Sequence, residues 1–124
     1  MGALTQNGQW ERALELFARM RAEGLEPDAM GWANAIRAAE ADDGDPLQAA
    51  ERALGLLEEQ LSSNGSTPTR LGWSYAMSAA FKAGDFEAVL RVRDGMLDSG
   101  ASLFEQNDVM VKAAETHARN QGGT

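Results

Sequence analysis

The side chains able to do chemistry are few, and their spacing suits little of it. Four carboxylates crowd together at Glu40, Asp42, Asp43 and Asp45, a cluster that could draw a hard cation. A calcium loop orders its oxygens at alternate positions and closes on a bidentate glutamate. That order is missing, so helix capping and solvation account for the cluster better. His117 is the sole histidine and there is no cysteine. One imidazole without a thiol, a second histidine or a triad partner makes neither a zinc site nor an activated nucleophile; its place near a helix end suits a surface residue. The lack of cysteine also excludes a disulfide frame. Asn64-Gly65-Ser66 fits the glycosylation pattern, yet with no secretory signal it reads as loop. No glycine-rich phosphate loop is present. The expectation is a protein that is not an enzyme, with no catalytic, cofactor-binding or metal-binding residue.

Charge narrows the partners. The 124 residues carry 19 acids against 11 bases, a formal charge of −8. Nucleic-acid binders neutralise phosphates with Lys and Arg and are usually basic, so a protein partner is the default. Arg37, Arg70, Lys82, Lys112 and Arg119 could touch RNA in a general way, but they do not cluster and read as solubilising charges. No apolar run approaches the ~20 residues of a membrane-spanning helix. Trp10, Trp32 and Trp73 could stack bases or anchor a partner; their places within apolar stripes favour core packing.

The elements that carry these residues are helices. Hydrophobic residues make up 44% and prolines number 3, which suits a folded helical chain. Residues Leu4 to Asn7 look like the tail of a helix ended by Asn7-Gly8, as though the chain began partway through a unit. A helix over about 9–23 then carries Trp10, Ala13, Leu14, Phe17 and Met20 on one stripe. Gly24 suits its left-handed closing residue, and Pro27 prevents continuation. Asp28 is placed to cap a helix over about 29–42, with Met30, Ala33, Ile36 and Ala39 inward and Trp32 and Ala35 widening the face. Asp45 and Pro46 start another over 46–61, with Leu47, Ala50, Leu54, Leu57 and Leu61 as its stripe. A polar loop, Ser62 to Thr69, follows. Further helices are expected over 70–83 (Trp73, Ala76, Met77, Ala80, Phe81), 85–98 (Phe86, Val89, Leu90, Met96, Leu97) and 105–119 (Val109, Met110, Ala113, Ala114). Arg93 falls where the first copy has Phe17, either weakening that stripe or laying its stem across it.

Self-comparison gives the strongest signal. Glu11-Arg12-Ala13-Leu14 returns as Glu51-Arg52-Ala53-Leu54, 40 positions on, and Met30-Gly31-Trp32 returns as Leu71-Gly72-Trp73, 41 on. An apolar residue, one variable residue and two alanines occur at Ile36 to Ala39, Met77 to Ala80 and Val111 to Ala114. Gly8, Gly44 and Gly84 precede successive copies of one helix type. Two helix types therefore alternate.

These segments resemble the pentatricopeptide repeat (PPR) family, a helical-hairpin solenoid of about 35 residues per unit. GQWERALELFARMRAEGLEPD carries the likeness best, with WSYAMSAAFKAG and KAGDFEAVLRVRDGM beside it. The second copy is stretched by its serine-rich loop and the third has lost the Pro-Asp turn. Tetratricopeptide repeats are related, but Gly-Leu-Glu-Pro-Asp before an aromatic helix favours the former. The resemblance implies an all-α, right-handed α-solenoid of antiparallel helical hairpins, about six helices in roughly three repeats. It implies one domain over 1–124, with units near 1–28, 29–69, 70–103 and 104–124, the first and last incomplete.

Family members bind single-stranded RNA, one base per repeat, through a residue early in the first helix and the residue ending the repeat. Carried onto this chain, the early positions are Ala33, Ser74 and Asp108, and the closing ones Asp28, Thr69 and then Leu103 or Phe104. No complete base-reading pair results, because Ala33 offers no hydrogen bond and Ser74 is matched with an apolar residue. The expected RNA-facing residues, on an RNA-binding reading alone, are thus Asp28, Ala33, Thr69 and Ser74. Repeat packing is assigned to Trp10, Leu14, Phe17, Trp32, Ile36, Leu54, Leu57, Trp73, Met77 and Leu90. The expected function is an accessory or scaffolding module binding protein subunits of a mitochondrial or chloroplast assembly. The alternative is an RNA-binding factor of organellar RNA metabolism.

Overall fold

A computed structural model describes residues 2–42, 44–63 and 66–122. Six helices follow one another: α1 (Gly2–Ala22), α2 (Ala29–Glu40), α3 (Pro46–Ser62), α4 (Arg70–Lys82), α5 (Phe86–Asp98) and α6 (Glu105–Gly122). Among the described residues there is no strand. The chain is an all-α helical repeat.

The helix ends follow local chemistry. Asp28 accepts from Gly31 N at 2.7 Å, Thr69 Oγ1 from Gly72 N at 3.0 Å and Asp85 from Ala88 N at 3.1 Å. Asp45 caps α3 ahead of Pro46, whose missing N–H costs nothing in the first turn. Gly24, Gly84 and Gly100 all have positive φ and close α1, α4 and α5 with the same paired bonds: Leu25 N to Met20 O and Gly24 N to Arg21 O, repeated one for one at Asp85/Gly84 and Ala101/Gly100. This closure needs a left-handed residue that only glycine adopts freely.

One expected boundary is wrong. The chain does not break at Asn7-Gly8; α1 runs unbroken from Gly2. A glycine inside a helical run costs only about 1 kcal/mol, too little to end a helix where no cap is formed. At the other end α6 extends to Gly122, past the expected limit of 119.

The helices form two layers. In one, α2 contacts α4 and α4 contacts α6 directly. In the other, α1, α3 and α5 make no such backbone approach to one another; side chains bridge instead, Arg21 pairing with Glu59 and Arg52 lying 5.3 Å from the Trp10 ring. The main core joins Ile36, Ala39, Ala53, Leu57, Trp73, Met77, Val89, Met96 and Val111. Phe17, Trp32 and Ala35 form a second cluster, with the two rings edge-on at 5.0 Å.

Several expected stripe residues point outward: Met30, Leu47, Leu61, Leu97 and Val109 are about half exposed or more. In their place α3 buries Ala49, Ala53 and Gln60, and α6 buries Asn107 and Val111. The reason is close approach. Because α3 is wedged between α2 and α4, it turns Ala49, Ala50, Ala53 and Leu57 to its neighbours and leaves Leu47 and Leu61 on its flanks. Arg93 resolves the two options left for it: its side chain is about three-quarters covered while its head pairs with Glu115 of α6 at 3.0 Å, so the stem does lie along the stripe.

Candidate interaction site

The four residues expected to face RNA sit at the starts of α2 and α4. Asp28 and Thr69 are N-caps, each with a side-chain oxygen accepting from the first turn of its helix. Ala33 and Ser74 are buried, 7% and 2% exposed. Asn107 Nδ2 donates to Ser74 Oγ at 3.1 Å, and Asn107 Oδ1 accepts from Phe104 N at 3.2 Å, a back-bond from the first turn of α6 to the residue before it. Ser74 is therefore held inside the protein between α4 and α6. Of the three positions considered for the third copy, Leu103 and Phe104 are partly buried and Asp108 pairs with Lys112 at 3.1 Å along α6.

Three of the five cations, Arg70, Lys82 and Lys112, have partners nearby. Arg70 donates to Ser102 O at 2.8 Å and Leu103 O at 3.2 Å while its guanidinium lies 3.7 Å from the Phe104 ring centroid. It fastens the connection between α5 and α6, which lacks the Pro-Asp turn. Lys82 pairs with Glu40 at 2.7 Å, and Glu40 also accepts from Ser78 Oγ. Arg37 and Arg119 are exposed.

The acidic cluster is distributed among structural tasks. Glu40 serves α4, Asp42 pairs with Arg52 and accepts from Gly44 N, and Asp45 caps α3; Asp43 lies outside the described residues. Among the described residues no group of three or more His, Cys, Asp or Glu side chains could hold a metal ion. His117 is exposed, with its ring 4.6 Å from that of Phe86. Asn64 and Gly65, of the glycosylation pattern, fall outside the described residues as well.

The residues assigned to packing divide in two. Phe17, Trp32, Ile36, Leu57, Trp73 and Met77 are buried, whereas Trp10, Leu14, Leu54 and Leu90 are partly so. Trp32 Nε1 and Trp73 Nε1 are buried without a hydrogen-bond partner among the described residues, as is Gln60 Oε1; Gln60 Nε2 donates to Ser66 Oγ at 2.9 Å.

Sequence reasoning missed Asn107 and Gln60. A signal existed for Asn107: Val111 aligns with Ile36 and Met77, which puts Asn107 in the register of Trp32 and Trp73. Gln60 had none, since a glutamine on a helix is ordinarily solvated.

Several concavities lie on the described residues: one of about 600 Å³ between α5 and α6 beside His117, and three more. A cleft of about 1070 Å³ lies between the end of α1 and α3, lined by Arg21, Glu26, Trp32, Gly55, Glu58 and Glu59. An apolar cavity of about 180 Å³ lies between α3 and α5 over Trp73. A groove of about 410 Å³ crosses the outer side of α1 and α2, lined by Ala13, Leu16, Met20, Gly31, Asn34 and Ala35 among others. All three are shaped surfaces with no nucleophile set beside a base.

Residues 1–25 match the family model described as PPR repeat, consistent with a pentatricopeptide-repeat protein. No curated protein and no solved structure matches the chain significantly. No helix among the described residues is long and apolar enough to cross a membrane.

Proposed function

We propose that this helical-repeat protein is a non-catalytic interaction module that binds protein subunits of a larger assembly. Proteins built from this repeat are generally non-catalytic binders, RNA-related and organellar, which supports the reading of a mitochondrial or chloroplast assembly. The units 1–28, 29–69, 70–103 and 104–124 act in it as stacked elements of one domain, each leaning on its neighbours.

The observation that carries the protein-binding reading is the fate of Ser74. It is the one early-helix residue with an uncharged hydrogen-bonding group suited to a base edge, yet it is 2% exposed and bonded to Asn107. Ala33, its counterpart one unit back, is buried and apolar. A charge of −8 opposes phosphate as well. The second reading, a single-stranded RNA-binding factor, is favoured by the family match at residues 1–25.

Titrating mixed-sequence single-stranded RNA at about 50 and about 200 mM salt separates the two. The interaction module shows weak binding, or none, at both. Submicromolar binding that falls at least tenfold over that interval overturns it.

A further inference from the structure

Helix α3 has a concavity on each side of it, and one residue lines both. The cleft of about 1070 Å³ toward α1 and the cavity of about 180 Å³ toward α5 share Glu58. Gly55, Glu58, Glu59 and Ser62 line the first, and Leu54, Leu57, Glu58 and Leu61 the second. At about 3.6 residues per turn these sets are neighbouring stripes of one helix, with Glu58 on the ridge between them. Each concavity is walled on both sides by helices of this chain.

The two differ in chemistry. Arg21, the one base among the described residues lining the cleft, is already paired with Glu59, and its guanidinium lies 4.9 Å from the Trp32 ring. Glu26 and Glu58 line the same cleft and make no ion pair among the described residues. A cation entering there meets two carboxylates without a counter-ion. The cavity toward α5 is mainly apolar, with Trp73 only 3% exposed at its base and Leu61 52% exposed on its lip. Its volume suits one side chain, since a cavity of ~150 Å³ lined by Leu, Ile and Phe takes a benzene ring. Arg91, at its edge, is exposed and makes no ion pair among the described residues. From α1 to α5 the surface thus runs acidic, apolar, basic. Asp28, Ala33, Thr69 and Ser74 line neither concavity.

We propose that this face of α3 docks a short extended segment of a partner protein carrying the complementary order: Lys or Arg, then Phe or Leu, then Glu or Asp, at alternate positions. Alternation puts all three side chains on one face of the segment, successive ones ~7 Å apart. Helix α3 is ~10 Å across with its side chains, and the long stem of the base spans the remainder. The apolar side chain fills the cavity over Trp73, the base enters the cleft against Glu26 and Glu58, and the acid meets Arg91. The charges also fix the direction of crossing, because a segment turned about would set its base against Arg91. The proposal rests on the interaction-module reading and names the partner's chemistry.

The probe is an end-capped peptide, Gly-Lys-Ser-Phe-Ser-Glu-Gly, titrated into the whole isotope-labelled chain and followed by the indole N–H resonances of Trp32 and Trp73. A saturable shift of both is expected. Leu61→Asp, on a residue already exposed, weakens binding at least tenfold, while Leu47→Asp, also exposed but near the start of α3, leaves it unchanged. A peptide with Glu in place of its Lys binds at least tenfold more weakly. Arg91→Glu costs at least threefold, and a peptide with Lys in place of its Glu recovers that loss on this variant alone. Circular dichroism confirms that each variant stays folded. No saturable shift up to 1 mM peptide, equal loss from Leu61→Asp and Leu47→Asp, or equal binding of the all-acidic peptide overturns the docking site. So does a concentration-dependent dimer abolished by Leu61→Asp, which would make the occupant a second copy. The two readings fail separately: loss of peptide binding alone strikes the docking site and leaves the module standing, whereas tight RNA binding strikes the module whatever the peptide does.

Discussion

The helix pairs α2–α3 and α4–α5 contain the same two landmarks and treat them differently. Trp32 on α2 faces Gly55 on α3 across a cleft of about 1070 Å³, and Trp73 on α4 faces Gly95 on α5 across only about 180 Å³. Gly55 and Gly95 are 40 positions apart, the same shift that relates the helices carrying them. Yet a Cβ on Gly95 would fall 2.7 Å from Trp73 Cη2, whereas a Cβ on Gly55 would meet nothing within 4 Å. The walls explain the difference. Around Trp73, Leu54, Leu57, Leu61, Ala88 and Val92 outnumber the charged Glu58 and Arg91, so closing the gap removes mainly apolar surface from water. Around Trp32 stand Arg21, Glu26, Glu58 and Glu59, and the Arg21 guanidinium lies 4.9 Å from the indole. Charged side chains hold their hydration, so closure there would desolvate them. A repeated aromatic–glycine register thus fixes where two helices face one another, and the flanking residues fix whether they close.

That contrast can be broken by mutation. The largest effect is expected for Trp73→Ala, which removes a buried indole with apolar walls and should cost about 3–5 kcal/mol in chemical denaturation. Trp32→Ala should cost less, because water from the open cleft can enter the space it leaves; an equal loss would mean that the cleft closes in solution. Next comes Gly95→Ala. Overpacking against a rigid, buried ring costs about 1–3 kcal/mol, and better helix propensity returns about 1 kcal/mol, so a net destabilisation of about 1 kcal/mol is expected. The smallest effect has the opposite sign: Gly55→Ala meets no neighbour and should raise stability by about 0.5–1 kcal/mol. Thermal melts of the two glycine variants side by side test the point most directly. Shifts of the same sign would show that the two helix pairs are packed alike.

Much of the architecture was legible from residue order. Pro46 after Asp45, Gly24 before Pro27-Asp28 and Gly84 before Asp85 mark helix ends by chemistry that acts within a few residues, and α2, α3 and α5 begin within a residue of where these signals place them. The recurring Ile36–Ala39, Met77–Ala80 and Val111–Ala114 segments announced tandem units for the same reason. The one false boundary, Asn7-Gly8, had a glycine but lacked the rest of a closing motif. Side-chain roles were less legible. A period of three or four names a broad face, and a shift of about a hundred degrees separates Ala53 from Leu54.

The candidate site shows the same division. Asp28 and Thr69 could be recognised as caps from their neighbours alone, but the burial of Ser74 required Asn107, 33 residues away, to arrive from α6. Likewise Arg70 gave no sign that it would fasten Ser102 and Leu103. By itself the sequence determined the helices, their ends and their tandem order, because each depends on backbone bonds and caps close along the chain. Only the tertiary structure decided which face of α3 and α6 turns inward and which glycine touches its tryptophan. Those outcomes depend on desolvation and contact between residues that come together only when the helices have stacked.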